Sequence, residues 1–524
     1  MKLRTIVKIA ITSSVVLLCS GFALYSFFRL SAAEEQKDFN LYELVPSATS
    51  AVFVTDDVLE FVAEVDELTC SKNQQYLYVS KLFSYLKQSL YALSEDTPHG
   101  LSRQMNQMLI SFHEPDNERN QVLYCRLGNG DKELVNRFVR KYISSLYPPK
   151  TFIYKGEEII IYPMADGDFL ACYLTSDFMA LSFQKKLIEN VIDAYKSGKS
   201  LADDSTFTGI RAPKKSAAAA TIYTRMQGMM GWTEFDMKMK DDFIYFSGIT
   251  HDADTCFAFI NQLRQQQSVK GFPGEVLPST AFYFSRQGIT DWVSLLSYGN
   301  AQGQSVPART SEVQNRDKEF SRYLMENAGQ DLVACLFQRE DTLQGAAAVL
   351  SLSVADVTEA ERMLRALVNA ASADEGRRNP RITFCYTVNK AYLVYRLPQT
   401  TLFKQLTSFV ESTLDVYAAF YDGRLLLAPD ENALSQYIRQ LDKGEVLNGA
   451  MAYQAGMDHL SDSYHFMLMA DFDHIFRQSE NHVRFVPDFF LRNADFFRHF
   501  TLFVQFACAD GMVYPNIVLK YKSE

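Results

Sequence analysis

Tryptophan is nearly missing from this 524-residue chain, with two copies, Trp232 and Trp292, against 39 Phe and 28 Tyr. Trp232 stands before a strand-like run and Trp292 in a short helical one, so both are read as core rather than as sugar-stacking platforms. Paired cysteines are missing as well. The eight stand at 19, 70, 125, 172, 256, 335, 385 and 508, and no two form a Cys-x-x-Cys, which removes support for zinc-ribbon and thioredoxin-like readings. Cys125, Cys172, Cys335, Cys385 and Cys508 lie inside apolar runs, where a thiol behaves as a small buried hydrophobe. Positive charge is also short. A net charge of −10 argues against a duplex nucleic-acid binder, which needs a basic footprint to neutralise phosphates. There is no Gly-x-Ser-x-Gly elbow and no pair of short carboxylate motifs of the glycosidase kind. Catalytic carboxylates can lie far apart in sequence, so the second absence excludes little.

The charge missing from one stretch is informative. Lys2, Arg4 and Lys8 precede Ile9 to Phe28, which holds no charged residue, and Arg29 with Glu34-Glu35 follows. Twenty residues make about 30 Å of helix, enough to cross a bilayer. The basic start predicts a cytoplasmic N-terminus, a transmembrane anchor at 9–28, a juxtamembrane linker at 29–40 and an extracytoplasmic remainder, placing the chain at a bacterial inner membrane with its bulk in the periplasm. The competing reading is a signal peptide cleaved near Ala33, after Ser31-Ala32-Ala33. Leu18 before Cys19 speaks against a lipoprotein.

What is present is a repeat. Phe178-Met179-Ala180-Leu181-Ser182 is followed by Leu187, Ile188, Val191, Ile192 and Tyr195 and then Lys196-Ser197-Gly198. Arg424 to Ala428 is followed by Pro429-Asp430-Glu431-Asn432 and an amphipathic run to Asp442-Lys443-Gly444, at constant offset and without a gap. Each reads as a strand feeding a helix that stops at glycine. Four further correspondences join the halves. Leu41 to Val54 matches Val276 to Phe284, each with a Pro-Ser before a strand. Met108 to Phe112, Val122 to Leu127 and a helix from Asp131 match Leu332 to Phe337, Ala346 to Ser353 and a helix capped by Asp356. Phe152 to Tyr162 and Phe169 to Leu174 match Ile382 to Tyr395 and Tyr417 to Phe420. Thr221 to Arg225 and the Phe235 to Gly248 hairpin match Tyr464 to Ala470 and Thr501 to Tyr521. The expected fold class is α+β: a transmembrane helix followed by two tandem duplicated domains, each an antiparallel sheet with helices mainly on one face. The copies are placed at 41–263 and 276–524, with a polar linker at 264–275 and a long loop at 299–310.

Candidate chemistry is thin. Lys196-Ser197-Gly198-Lys199-Ser200 ends like a phosphate loop, but the required earlier glycine is Asp193 and the segment closes a helix instead of opening one. Ser182-Phe183-Gln184-Lys185 fits a Ser-x-x-Lys nucleophile pattern without its partner motifs, and the second copy carries Ala428 and Glu431 there. Asp471-Phe472-Asp473-His474 and His251-Asp252-Ala253-Asp254 place carboxylates beside imidazoles. Neither has metal-site spacing, and His474 with Asp471 or Asp473 is the pair a metal would use if one bound. No catalytic, cofactor or metal residue is therefore assigned.

The Pro-Ser line at Val45 to Val54, the helix ending Lys196-Ser-Gly-Lys-Ser-Leu201 and the N-terminal anchor expected at 9–28 together resemble a domain-of-unknown-function family of uncharacterised, membrane-anchored Gram-negative envelope proteins. The resemblance implies placement and no site residues. Duplication without a repeated polar site, together with abundant aromatics, points to a non-enzymatic envelope protein that binds a protein partner or an apolar ligand in a cleft. A hydrolase or carbohydrate-active enzyme with dispersed residues is the alternative, and an anchored scaffold without a ligand a third.

Overall fold

A computed structural model describes residues 39–72, 107–113, 119–128, 131–138, 147–164, 167–210, 218–225, 232–250, 258–293, 295, 311–340, 345–375, 382–407, 414–477, 486 and 488–522. The strands of the first half are β1 (Ala51–Thr55), β2 (Met108–Phe112), β3 (Gln121–Arg126), β4 (Lys150–Tyr154), β5 (Glu157–Pro163), β6 (Phe169–Leu174), β7 (Phe178–Ser182), β8 (Ala220–Thr224), β9 (Thr233–Lys240) and β10 (Phe243–Thr250). A two-residue strand, β11 (Val269–Lys270), follows. The second half contributes β12 (Ala281–Gly288), β13 (Ala328–Gln338), β14 (Ala346–Val354), β15 (Ile382–Tyr386), β16 (Ala391–Thr400), β17 (Leu414–Tyr421), β18 (Arg424–Ala428), β19 (Ser463–Tyr464), β20 (Phe466–Asp471), β21 (Phe500–Ala509) and β22 (Met512–Tyr521).

Two parts of the expected fold class are corrected. Among the described residues no helix is long and apolar enough to cross a membrane; the stretch Ile9 to Phe28, on which that expectation rested, lies outside them. The strands are also not divided between two tandem sheets. Among the described residues twenty strands belong to one mostly antiparallel sheet, and β11 with β19 forms a separate pair. The reason is the last hairpin of each half. β10 and β22 lie antiparallel, with Phe243 opposite Lys520, Phe246 opposite Ile517 and Ser247 opposite Asn516. An edge strand exposes a row of unpaired N–H and C=O groups, and here each half satisfies the other's.

Contacts divide the chain into two compact units that do not follow the halves. The described residues of the first lie within 39–47, 107–109 and 121–204. Its strands run β4–β5–β6–β7–β3 in hydrogen-bonding order. The Lys185–Ser197 helix lays Leu187, Ile188, Val191 and Ile192 into the core, each contributing about 1.5–3 kcal/mol by burial. Gly198 stops it in the left-handed conformation at φ 61°, which glycine adopts without steric cost.

The second unit takes β1 with β8, β9 and β10, then β22–β21–β20–β12–β13–β14–β18–β17–β16–β15. Its core gathers Phe284, Val333, Phe337, Leu426, Tyr437 and Phe503. The Glu431–Asp442 helix is capped by Asp430, whose carboxylate accepts from the Ala433 N–H at 2.8 Å. The polar stretch 264–275 is folded onto this unit. Gln266 is buried, Val269–Lys270 pairs with Ser463–Tyr464, and Pro273–Val276 forms a short 3-10 turn.

The two similar motifs close in the same way. The Leu201 N–H donates to the Val45 carbonyl at 2.8 Å, and the Leu447 N–H to the Leu277 carbonyl at 2.9 Å. Pro46 bridges Ser200, and Pro278 bridges Val446. In each, the chain leaving the glycine-stopped helix returns to the residues that begin the copy's first long strand.

Candidate functional site

The residues singled out by sequence are mostly committed to structure. Ser182 is fully buried and donates to the Gln121 carbonyl at 2.7 Å, while Lys185 pairs with Glu189; the two are not a nucleophile and its base. In the phosphate-loop look-alike, Lys196 pairs with Glu157 at 2.8 Å, the Ser197 hydroxyl donates to the Asp193 carbonyl, and the Ser200 hydroxyl donates to Asp203. Trp232 is wholly buried under the Arg225 guanidinium, 4.9 Å from its ring, and the Trp292 indole N–H donates to the Gly329 carbonyl at 3.3 Å. The cysteines at 70, 125, 172, 335, 385 and 508 are free thiols. Burial pushes Cys125 and Cys172 up to about 12, so neither is a thiolate near neutrality.

Asp471 and His474 do come together. Asp471 accepts from Lys522 and lies 3.1 Å from His474 Nδ1, while Asp473 pairs with Arg477 at 2.7 Å. Burial works to raise the Asp471 carboxyl, and His474 and Lys522 outweigh it, leaving it below the usual carboxylate range. Asp471 also caps the Phe472–Phe476 helix, so its oxygens are occupied. Among the described residues no three His, Cys, Asp or Glu converge as metal ligands. His251 to Asp254 and His482 lie outside those residues.

Sequence reading missed two features. One is a buried charge cluster. Asp331 on β13 accepts from Arg286 Nε at 3.0 Å and from Arg424 Nη1 and Nη2 at 3.3 Å. Arg286 also donates to the Gly271 carbonyl at 2.8 Å, and Arg424 Nε to Ser351 Oγ at 2.5 Å. Burial acts to raise Asp331; the Arg424 and Arg286 guanidiniums and the Ser353 hydroxyl prevail and hold it low. Arg286 thus ties the β11 segment to the sheet, a structural role.

The other is β15, and here the geometry offers a surface. In the registers among the described residues β15 pairs with β16, while β14 pairs with β13 and β18. Its inner face rests on the Glu431–Asp442 helix. Cys385 is buried with its thiol 3.9 Å from the Ser435 carbonyl, and Thr383 Oγ1 donates to Glu431 at 2.7 Å. Its other face is open, with Phe384 53% and Tyr386 67% exposed and their rings 6.1 Å apart. Val388, in the turn that follows, is 87% exposed. That turn is held in place: the Thr387 N–H donates to the Lys390 carbonyl, and Asn389 donates to Asp442 at 3.0 Å.

The matching strand of the other copy, β4, is guarded differently. It carries Lys150, it turns through Lys155, which pairs with Asp193 at 2.6 Å, and Lys185 stands over the Phe152 ring at 5.4 Å. Charged side chains, lysine above all, are how proteins protect a sheet edge. β15 has none within Ile382–Tyr386.

The chain matches no protein-family model, no curated protein and no solved structure. Nothing in these comparisons bears on the resemblance to the envelope family.

Proposed function

We propose that this is a non-enzymatic binding protein whose contact surface for a protein partner is the open face of β15 with the turn after it. The supporting observation is the concentration of exposed apolar side chains there, Phe384, Tyr386 and Val388, on a strand and turn anchored from behind by the Glu431–Asp442 helix. Aromatic side chains held rigid before contact supply binding energy at low entropic cost. An exposed apolar patch is a place where a protein partner gains binding energy by burial.

A photo-crosslinking residue at 386 or 388, introduced in the cells that natively make the protein, is expected to yield a discrete protein adduct. The same residue at the exposed position 319 is expected to yield none. Absence of any discrete adduct from either 386 or 388 contradicts the reading.

A further inference from the structure

We infer that β15 takes its partner by strand addition: an extended, apolar peptide segment with an acidic residue beside Tyr386 joins the sheet along Ile382–Tyr386. The inference rests on the binding reading above and adds its mode and the partner's chemistry. The main-chain geometry carries it. In an antiparallel pair, residues alternate between directly hydrogen-bonded pairs and pairs whose N–H and C=O groups point away. Thr387 donates to Lys390, which closes a bonded pair at the turn. Counting back along the register Tyr386–Ala391, Cys385–Tyr392, Phe384–Leu393, the bonded residues are 385 and 383. The outward-pointing groups belong to 382, 384 and 386. Among the described residues the outward-pointing main-chain groups therefore belong to the same residues that expose Phe384 and Tyr386. The Tyr386 carbonyl already accepts from Arg439, which leaves Ile382, Phe384 and the Tyr386 N–H to bond an added strand.

The available area selects the occupant. Phe384 and Tyr386 at their exposures present about 250 Å² together, taking ~150–250 Å² for a whole aromatic side chain. The exposed rings of two copies amount to about 500 Å², short of the ~1,200 Å² of a stable interface, so ring burial alone does not hold two copies together. A peptide adding a strand draws its affinity from main-chain hydrogen bonds and needs only side-chain pockets on one face. Five residues span about 17 Å, enough for such a segment. Charge orients the occupant. Arg439 donates to the Tyr386 carbonyl at 3.4 Å and is exposed, as is Lys390. The carboxylate at this turn, Asp442, is engaged by Asn389 and Tyr392, so the two cations make the end beside Tyr386 favour an acid.

The probe is a fluorescent synthetic hexapeptide, Val-Thr-Val-Thr-Val-Asp, titrated against the full chain. Saturable binding is expected. N-methylating one alternate set of its amides should weaken binding more than tenfold, while methylating the other set should leave it nearly unchanged, because only one edge of an added strand is bonded to the sheet. Phe384→Lys, which puts a charge on the open face of the strand, should also weaken binding more than tenfold with an unchanged unfolding midpoint. If that variant misfolds, the methylation pair still decides on the unaltered protein. Equal effects of the two methylated sets would overturn strand addition while leaving crosslinking at 386 intact. No saturable binding would overturn it too, as would self-association of the protein that Phe384→Lys abolishes, since that would assign the edge to a second copy.

Discussion

Asp331→Ala is expected to lower the stability of the fold by about 3–5 kcal/mol, the cost of leaving buried charges without their partner. The carboxylate is 8% exposed and stands between Arg286 at 15% and Arg424 at 14%. Its removal leaves two guanidiniums, from β12 and β18, with no anion between them. The hydrogen bonds of Arg286 to Gly271 and of Arg424 to Ser351 hold both cations in place, so neither swings out to water. Asp331→Asn keeps the shape and loses the charge, and should fall between the native protein and alanine. Urea unfolding at neutral pH checks the order. A loss below about 1 kcal/mol for Asp331→Ala would mean that the cluster relaxes into solvent. The pH dependence has a fixed sign. Because the folded carboxyl is held below its ordinary value, its contribution is present above that value, near 4, and is lost as pH falls further.

The second large effect is acid sensitivity at a higher pH, through His113. Burial pushes this imidazole down to about 4, and its Nε2 lies 3.0 Å from the hydroxyl of Ser111, itself fully buried. The folded chain keeps His113 neutral while the unfolded chain protonates it below about 6.5. Stability from this group is complete above about 6.5 and is lost as pH falls to about 4, by about 3 kcal/mol in all. His465 acts in the same direction, since burial lowers it and its Nδ1 accepts the Cys508 N–H at 3.1 Å, a bond that protonation breaks. Unfolding midpoints of the native chain and His113→Gln, compared at pH 7 and pH 4.5, check the claim. The native chain should lose more stability than the variant over that interval. Equal losses would show that His113 is solvated in the fold.

Local chemistry was legible in the sequence, and long-range pairing was not. Glycine at 198 and 444 marked where two helices end, because a backbone at φ 61° and 75° costs least for a residue without a Cβ. The Pro-Ser line marked where each copy's first strand is pinned to the segment after its helix. Tandem domains were expected because a repeat reveals what is copied and not which strand edges meet. The pairing of β10 with β22 joins residues more than 250 apart in sequence and leaves no trace in periodicity. The Asp331 cluster was invisible for the same reason, its partners lying 45 and 93 positions away. β15 reads Ile-Thr-Phe-Cys-Tyr, with apolar residues in both phases of the alternation. Only packing shows that Cys385 points to the helix and that Phe384 and Tyr386 point out.

The charge cluster and the β15 surface both belong to a sheet in which the two halves meet along β10 and β22, so that pairing is the point to measure. Ser247 and Asn516 lie opposite one another there. Ser247 is opposite Asp236 across β9, and Asn516 is opposite Gln505 across β21. Counting from their hairpin turns, both residues spend their main-chain bonds on those partners, which makes 247–516 a close pair of about 4.5 Å between Cα atoms, within disulfide range. In the double variant Ser247→Cys with Asn516→Cys, mild oxidation should produce an intramolecular disulfide between the two positions, seen as a linked peptide pair by mass spectrometry. If the folded chain leaves both thiols reduced, or links them only between molecules, the halves do not share one sheet and the account fails.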